Sequence, residues 1–159
     1  MDNNYEFTNL EIAGFEMFFD EANIIKDAEC HHCHNEPLFT SNDYFNNGLD
    51  PAPTLTEFPD LGQGLITGNI NDNGKFRSPS LRNIEFSAPY MHDGRFETLE
   101  EVIDHYSEGI HDSENLDINL FPNPPLNFTD FEKEALIAFL KTLSDPSFVN
   151  NPDFSNPFD

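Results

Sequence analysis

Apolar residues recur at helical spacing in three stretches of the chain, and each stretch follows a Thr-x-x-Glu pattern. In such a capping box the threonine hydroxyl and the glutamate carboxylate accept hydrogen bonds from N–H groups that the first turn of a helix leaves free. The pattern predicts three helices, whose boxes are Thr8-x-x-Glu11, Thr98-x-x-Glu101 and Thr129-x-x-Glu132. We expect the second helix to end near Gly109 and the third to end at Pro146.

Turn-forming residues dominate the chain between these helices. Asn46-Asn47-Gly48 and Asp72-Asn73-Gly74 indicate turns, and we expect the second of them to close a short hairpin. On the second helix Val102, Ile103 and Tyr106 fall on one face. Three helices are too few to enclose a large core, so we expect helices and long loops to wrap around a further group.

The composition adds a strong negative charge to this picture. The 159 residues include 7 Lys and Arg against 30 Asp and Glu, for a formal net charge of −23. This charge repels nucleic acid and anionic membranes and favours basic protein partners. A charged surface that simply keeps the protein soluble is an equally good explanation. The length suits a single domain.

The chain contains no obvious membrane or export segment. No stretch approaches the run of about 20 apolar residues that a membrane-spanning helix needs. The first residues lack the basic region and cleavage site of a signal peptide.

The strongest chemical signal is Cys30-His31-His32-Cys33-His34, a C-x-x-C-H haem-attachment motif. Two thiols three positions apart can reach the two vinyl groups on one edge of a porphyrin, and the adjacent imidazole then points at the iron. The motif predicts one haem c, attached covalently at Cys30 and Cys33, with His34 as the proximal iron ligand. Since covalent haem attachment normally happens outside the cytoplasm, we expect an extracytoplasmic or periplasmic protein whose Met1 marks a fragment boundary.

The motif and the predicted helices together indicate the fold class. We predict a mainly α, cytochrome c-like domain over residues 1–145, in which about three principal helices and long loops surround the haem. Residues 146–159 are expected to form an extended C-terminal tail.

Two other kinds of site can also use cysteines at this spacing. A thioredoxin-like redox pair requires a βαβ setting, which the pattern does not indicate. A zinc site would combine Cys30 and Cys33 with a distant histidine such as His92 or His111, but the second half of a zinc motif is absent at the usual spacing.

The sixth iron position decides what such a haem does, and several side chains can fill it. The chemically suitable residues are Met91, Tyr106, His92, His105 and His111. Composition and spacing do not choose among them.

The stretches 74–84, 88–96 and 98–106 resemble a known family. Their sequences are GKFRSPSLRNI, APYMHDGRF and TLEEVIDHY. They are similar to the C-terminal haem domain of bacterial diheme cytochrome c peroxidases, and most similar to its MauG-like branch. The resemblance covers nearly the whole chain, from the first helix to about Asp145.

The resemblance implies specific roles for several residues. Tyr106 matches the distal ligand of the family's electron-transfer haem, where peroxidases have Met and MauG-like enzymes have Tyr. Met91 matches a position that the family also fills with Phe, and it remains the alternative ligand. Ser87 and Pro89 match the backbone carbonyl ligands of an interdomain calcium. Arg77 and Arg82 are expected to bind the haem propionates, since a guanidinium suits a carboxylate.

The family's N-terminal domain, which carries the peroxidatic haem, has no counterpart in these 159 residues. We therefore expect an electron-relay domain that takes electrons from a small redox donor protein and passes them to a peroxidatic haem in a missing domain or partner chain. The negative charge of the chain favours a basic donor. The alternative is a stand-alone haem peroxidase that reacts with hydrogen peroxide after its distal ligand dissociates. A third class is a structural module stabilised by zinc or calcium.

Overall fold

The computed structural model describes residues 5–19, 27–120, 123–156 and 158. The described chain is mainly helical, as predicted, and it also contains one small sheet. Its α-helices are α1 (Asn9–Phe18), α2 (Gln63–Thr67), α3 (Leu99–Asp104), α4 (Asp130–Thr142) and α5 (Pro146–Val149). Its strands are β1 (Tyr44–Phe45) and β2 (Phe76–Arg77).

Helices α1, α3 and α4 begin where the capping boxes predict. In each, the threonine hydroxyl accepts a hydrogen bond from the backbone N–H of the glutamate, and that glutamate's side chain accepts one from the threonine N–H. α4 ends at Thr142, and Pro146 begins α5. α3 continues as a π-helical turn over His105–Gly109, so the helical segment ends at the predicted glycine.

The core lies where α1 crosses α4. Gly14 allows this close approach, because a Cβ atom there would lie 1.9 Å from the carbonyl oxygen of Ala135. Beside the crossing, the Phe18 ring contacts Phe139 of α4 and also Phe39, at centroid distances of 5.1 and 5.9 Å. The helix pair therefore supports the loop that contains Phe39.

The sheet joins parts of the chain that are distant in sequence. β1 and β2 pair antiparallel, with Tyr44 opposite Arg77 and Phe45 opposite Phe76. The predicted hairpin at 72–74 is therefore wrong. These residues do form a turn, at the end of a 3₁₀ segment Ile70–Asp72, but β2 then pairs with a strand that precedes it by some thirty residues.

The C-terminal residues are more regular than an extended tail. The Asp145 side chain accepts hydrogen bonds at the start of α5, and a 3₁₀ turn follows at Pro152–Phe154. The boundary between 1–145 and 146–159 remains a prediction. Among the described residues, no helix combines the length and apolar character required to cross a bilayer.

Candidate functional site

The cysteine motif folds into a single tight turn. Residues Cys30–His32 form a 3₁₀ segment, and the backbone N–H groups of Cys33 and His34 both donate to the Cys30 carbonyl, at 3.3 and 3.0 Å. Both cysteines are partly buried free thiols, and Cys30 packs against the main core. The turn thus presents two unpaired thiols and the following imidazole from one rigid segment.

The electrostatics of these thiols differ from those of a redox pair. Burial raises the pKa of Cys30 to about 12, helped by the neighbouring Cys33 thiol. Burial also raises the pKa of Cys33 to about 12. A catalytic dithiol needs a lowered pKa, so this setting does not support a thioredoxin-like role.

A zinc site at the cysteines also lacks partners. His92 is exposed and stacks on Phe76 at a centroid distance of 3.6 Å, and His111 is exposed too. Across the part of the chain that the structure describes, no three His, Cys, Asp or Glu side chains are grouped to hold a metal ion.

The His34 ring is oriented by two backbone carbonyls. Its Nδ1 atom lies 3.2 Å from the Phe39 oxygen and 3.0 Å from the Pro79 oxygen. A carbonyl can only accept, so Nδ1 carries the proton and Nε2 keeps its lone pair. Burial also lowers the pKa of His34, which favours the neutral ring. A neutral imidazole with one nitrogen tied to a carbonyl is the usual form of a metal-bound histidine.

Residues 78–82, here called the proximal clamp, hold the loop around His34. Three of its side chains donate to backbone carbonyls of that loop: Ser78 Oγ to Cys33 at 2.6 Å, Ser80 Oγ to Leu38 at 2.6 Å, and Arg82 Nη2 to Pro37 at 2.7 Å. The Pro79 carbonyl adds the contact to His34 itself. The clamp fixes the proximal imidazole from a segment more than forty residues away.

The two predicted propionate partners are both exposed. Arg77 donates to the side-chain oxygen of Asn42, and Arg82 donates to Pro37 as part of the proximal clamp. Their predicted contact with haem propionates remains a prediction.

The side chains of Tyr106 and Met91, the two leading candidates for the distal ligand, contact the same side-chain amide. The Asn47 Nδ2 atom donates to the Tyr106 hydroxyl at 3.4 Å and to the Met91 sulfur at 3.5 Å. Burial raises the pKa of Tyr106 to about 12, and both thiols of the cysteine motif add to this increase. The phenol therefore lies within electrostatic range of Cys30 and Cys33.

The π turn explains how neighbouring residues of one helix all face inward. His105 and Ser107 are buried, and Tyr106 between them is partly buried. An α-helix turns each residue by about 100° and would point one of three consecutive side chains outward, whereas a π turn is wider. His105 Nε2 lies 3.0 Å from the Asn47 carbonyl oxygen, so this ring nitrogen already has a hydrogen-bond partner.

The expected calcium ligands lie in an exposed segment. Both Ser87 and Pro89 are exposed, and the Ser87 hydroxyl donates to the Ile84 carbonyl at 3.0 Å. Calcium at this segment remains a prediction.

The donor set fits a haem c. It consists of two free thiols, an imidazole with an available Nε2, and a phenol and a thioether that both contact Asn47. Sequence reasoning missed Asn47 and, apart from Arg82, the residues of the proximal clamp as site residues. The only signals were a turn pattern at 46–48 and the resemblance at 74–84.

Comparisons with known proteins agree on one family. Cytochrome-c peroxidase IdrP2 of Denitromonas iodatirespirans is 31% identical over 86% of this chain and 40% of its own length. Methylamine utilization protein MauG of Methylorubrum extorquens is 32% identical over 87% of this chain and 36% of its own length. This chain therefore spans about two fifths of the length of these curated relatives, in their C-terminal part. No protein-family model matches the chain.

Among solved structures, a MauG-like protein associated with microbial copper homeostasis superposes with a TM-score of 0.81 and 37% identity. The match covers 99% of this chain and 53% of that one. The whole described fold is therefore shared with about half of a MauG-like protein.

Proposed function

This chain belongs to the bacterial diheme cytochrome c peroxidase and MauG family, and we propose that it is the family's electron-relay domain. In this proposal one haem c is attached at Cys30 and Cys33, with His34 as the proximal ligand and Tyr106 as the distal ligand. The domain passes electrons through a six-coordinate haem to a peroxidatic haem that lies elsewhere.

One observation carries the proposal: the motif's imidazole keeps Nε2 available, and the Tyr106 phenol lies within electrostatic range of the motif's two thiols. His34 has its Nδ1 tied to the carbonyls of Phe39 and Pro79, which leaves Nε2 for iron. Tyr106 is within electrostatic range of both cysteines. Two side chains that can ligate iron therefore support a haem at the cysteine turn.

A haem c held here would supply a one-electron ferric and ferrous couple. The protein's residues determine how that couple behaves. The Pro79 carbonyl of the proximal clamp and the Phe39 carbonyl keep the His34 ring from rotating, because both accept from Nδ1. A phenolate from Tyr106 is a hard anionic ligand, so it favours ferric iron and lowers the reduction potential relative to a Met thioether. With His34 and Tyr106 both bound to iron, peroxide would have no open site, which favours relay over turnover.

The charge and the length of the chain support a role with partners. A net charge of −23 suits a basic redox donor protein. Since the chain spans about two fifths of its curated relatives, the peroxidatic haem would come from a further domain or a partner chain. We place this function outside the cytoplasm, in the periplasm, where haem c is normally attached. Calcium at Ser87 and Pro89 would belong to the junction with that further domain.

The first test is covalent attachment. The chain is co-expressed with haem c maturation factors and separated by denaturing electrophoresis with haem staining. We expect a stain that survives boiling in the original chain and is lost when Cys30 and Cys33 are both replaced by Ala. A stain of equal strength in the double variant would refute attachment at the motif.

The second test identifies the distal ligand and the role. Ferric optical and EPR spectra are recorded for Tyr106→Phe and Met91→Leu. We expect only Tyr106→Phe to change the ligand field. If only Met91→Leu changes it, Met91 is the distal ligand. The unaltered chain should not turn over hydrogen peroxide, and turnover by that chain alone would instead indicate a stand-alone peroxidase.

A further inference from the structure

The side-chain amide of Asn47 contacts both leading candidates for the sixth iron ligand, Tyr106 and Met91. Its Nδ2 atom lies 3.4 Å from the Tyr106 hydroxyl oxygen and 3.5 Å from the Met91 sulfur. An asparagine amide has two N–H donors, so one group can serve both acceptors. These two contacts link segments that are 59 and 44 residues away from Asn47 in sequence.

The backbone around Asn47 is held in place. Its own carbonyl accepts from Nε2 of His105 at 3.0 Å, next to Tyr106 on the π turn. The following residue, Gly48, is buried with a φ of +67°, and a Cβ there would lie 2.6 Å from Ile110. The His111 N–H also donates to the Gly48 carbonyl at 2.8 Å. The amide is therefore presented by a turn that has little freedom to move.

We propose that Asn47 is a positioning residue that holds the distal ligand and tunes its charge by donating a hydrogen bond to it. This inference rests on the proposed function for the haem and Tyr106. It assigns a role to a residue that neither the cysteine motif nor the family resemblance indicated.

The expected effect of the amide follows from the charge on the ligand oxygen. A bond from N–H to a phenolate is charge-assisted and stronger than a neutral one. Ferrous iron leaves more negative charge on that oxygen than ferric iron does, so the bond stabilises the ferrous form more. Asn47 therefore raises the reduction potential above that of an unassisted tyrosinate.

The test compares three variants of the haem-bound chain by midpoint potential and by ferric EPR spectrum. Asn47→Leu has a similar size but no donor. Asn47→Gln keeps a donor on a longer side chain. Asn71→Leu makes the same change at an exposed asparagine that contacts neither Tyr106 nor Met91 among the described hydrogen bonds, as the matched control.

We expect Asn47→Leu to favour ferric iron by about tenfold, which is a fall of about 59 mV for a one-electron couple. We also expect Asn47→Leu to change the ferric EPR signal. The midpoint potential of Asn47→Gln should lie closer to that of the original chain. Asn71→Leu should match the original chain in both readouts. An Asn47→Leu variant that is indistinguishable from Asn71→Leu would overturn the proposal.

Two further measurements keep the result decisive. If Asn47→Leu does not fold, the smaller Asn47→Ala removes the donor without adding a charge, and an unchanged potential in that variant overturns the proposal as well. The Tyr106→Phe spectrum separates this inference from the proposed function. An unchanged ligand field there refutes Tyr106 as ligand, whereas Asn47→Leu still tests the amide, because Asn47 also contacts Met91.

Discussion

Replacing Gly14 by alanine is expected to destabilise the protein, although alanine is the better helix former. Gly14 lies within α1 at the crossing with α4. Alanine in a helix interior is favoured over glycine by about 1 kcal/mol from intrinsic propensity. If propensity decided the result, Gly14→Ala would raise the free energy of unfolding.

The geometry at the helix crossing instead predicts that Gly14→Ala lowers the free energy of unfolding. A Cβ at position 14 would lie 1.9 Å from the Ala135 oxygen, 2.5 Å from the Ala135 carbonyl carbon and 2.8 Å from the Phe139 Cβ. The nearest atoms belong to the backbone, so no side-chain rotation relieves the overlap. The helices must separate by about 1.5 Å to restore ordinary contact, and overpacking on this scale costs about 3 kcal/mol. Subtracting the gain from propensity leaves a net loss of about 2 kcal/mol.

The assay is unfolding of the purified chain by guanidinium chloride and by heat, followed by circular dichroism. A loss of about 2 kcal/mol corresponds to a fall in Tm of about 4–8 °C for a domain of this size. Ala13→Gly, the neighbouring position on the same helix, is the control for propensity and should lose about 1 kcal/mol. An equal or higher Tm for Gly14→Ala would show that α1 and α4 do not approach this closely.

Three further outcomes are expected. Ser78→Ala removes the donor to the Cys33 carbonyl from a buried site and should lower the free energy of unfolding by about 1 kcal/mol. Ser80→Ala, at the exposed neighbour, should lower the free energy of unfolding by less, and equal losses would refute a special role for Ser78. The pKa of Glu11 is lowered by the Tyr5 hydroxyl and the Thr8 N–H, so Glu11→Gln should lower the free energy of unfolding at neutral pH. The difference in stability between the original chain and this variant should shrink as the pH falls from the ordinary glutamate pKa towards the lowered pKa of Glu11. A difference in stability that is constant with pH would contradict this. Calcium titration by calorimetry should show weak or no binding, because the carbonyls of Ser87 and Pro89 are too few for an ion that takes six to eight oxygens. Tight binding of calcium would show that this site is placed wrongly.

Features that depend on neighbouring residues were predictable from the sequence. Each capping box completes its hydrogen bonds within three residues, so Thr8, Thr98 and Thr129 predicted the starts of α1, α3 and α4. The cysteine motif is also local, since its spacing alone brings two thiols and an imidazole into one turn. These features do not require knowledge of the path of the rest of the chain.

Other features depended on where distant segments meet. The turn at 72–74 leads into β2, which pairs with β1 because the chain returns to it, so no hairpin forms. The π turn after α3 could not be read from apolar spacing, which predicts an ordinary helix through Tyr106.

The sequence by itself determined which side chains could attach and ligate a haem, and where the three main helices begin. Tertiary structure alone decided how these side chains are held. Pro79 contacts His34 across 45 residues, and Asn47 contacts Tyr106 across 59. Such contacts depend on the path of the whole chain, because a single hydrogen bond, with a net value of about 1 kcal/mol, is too weak to bring distant segments together without the packed core that places them side by side.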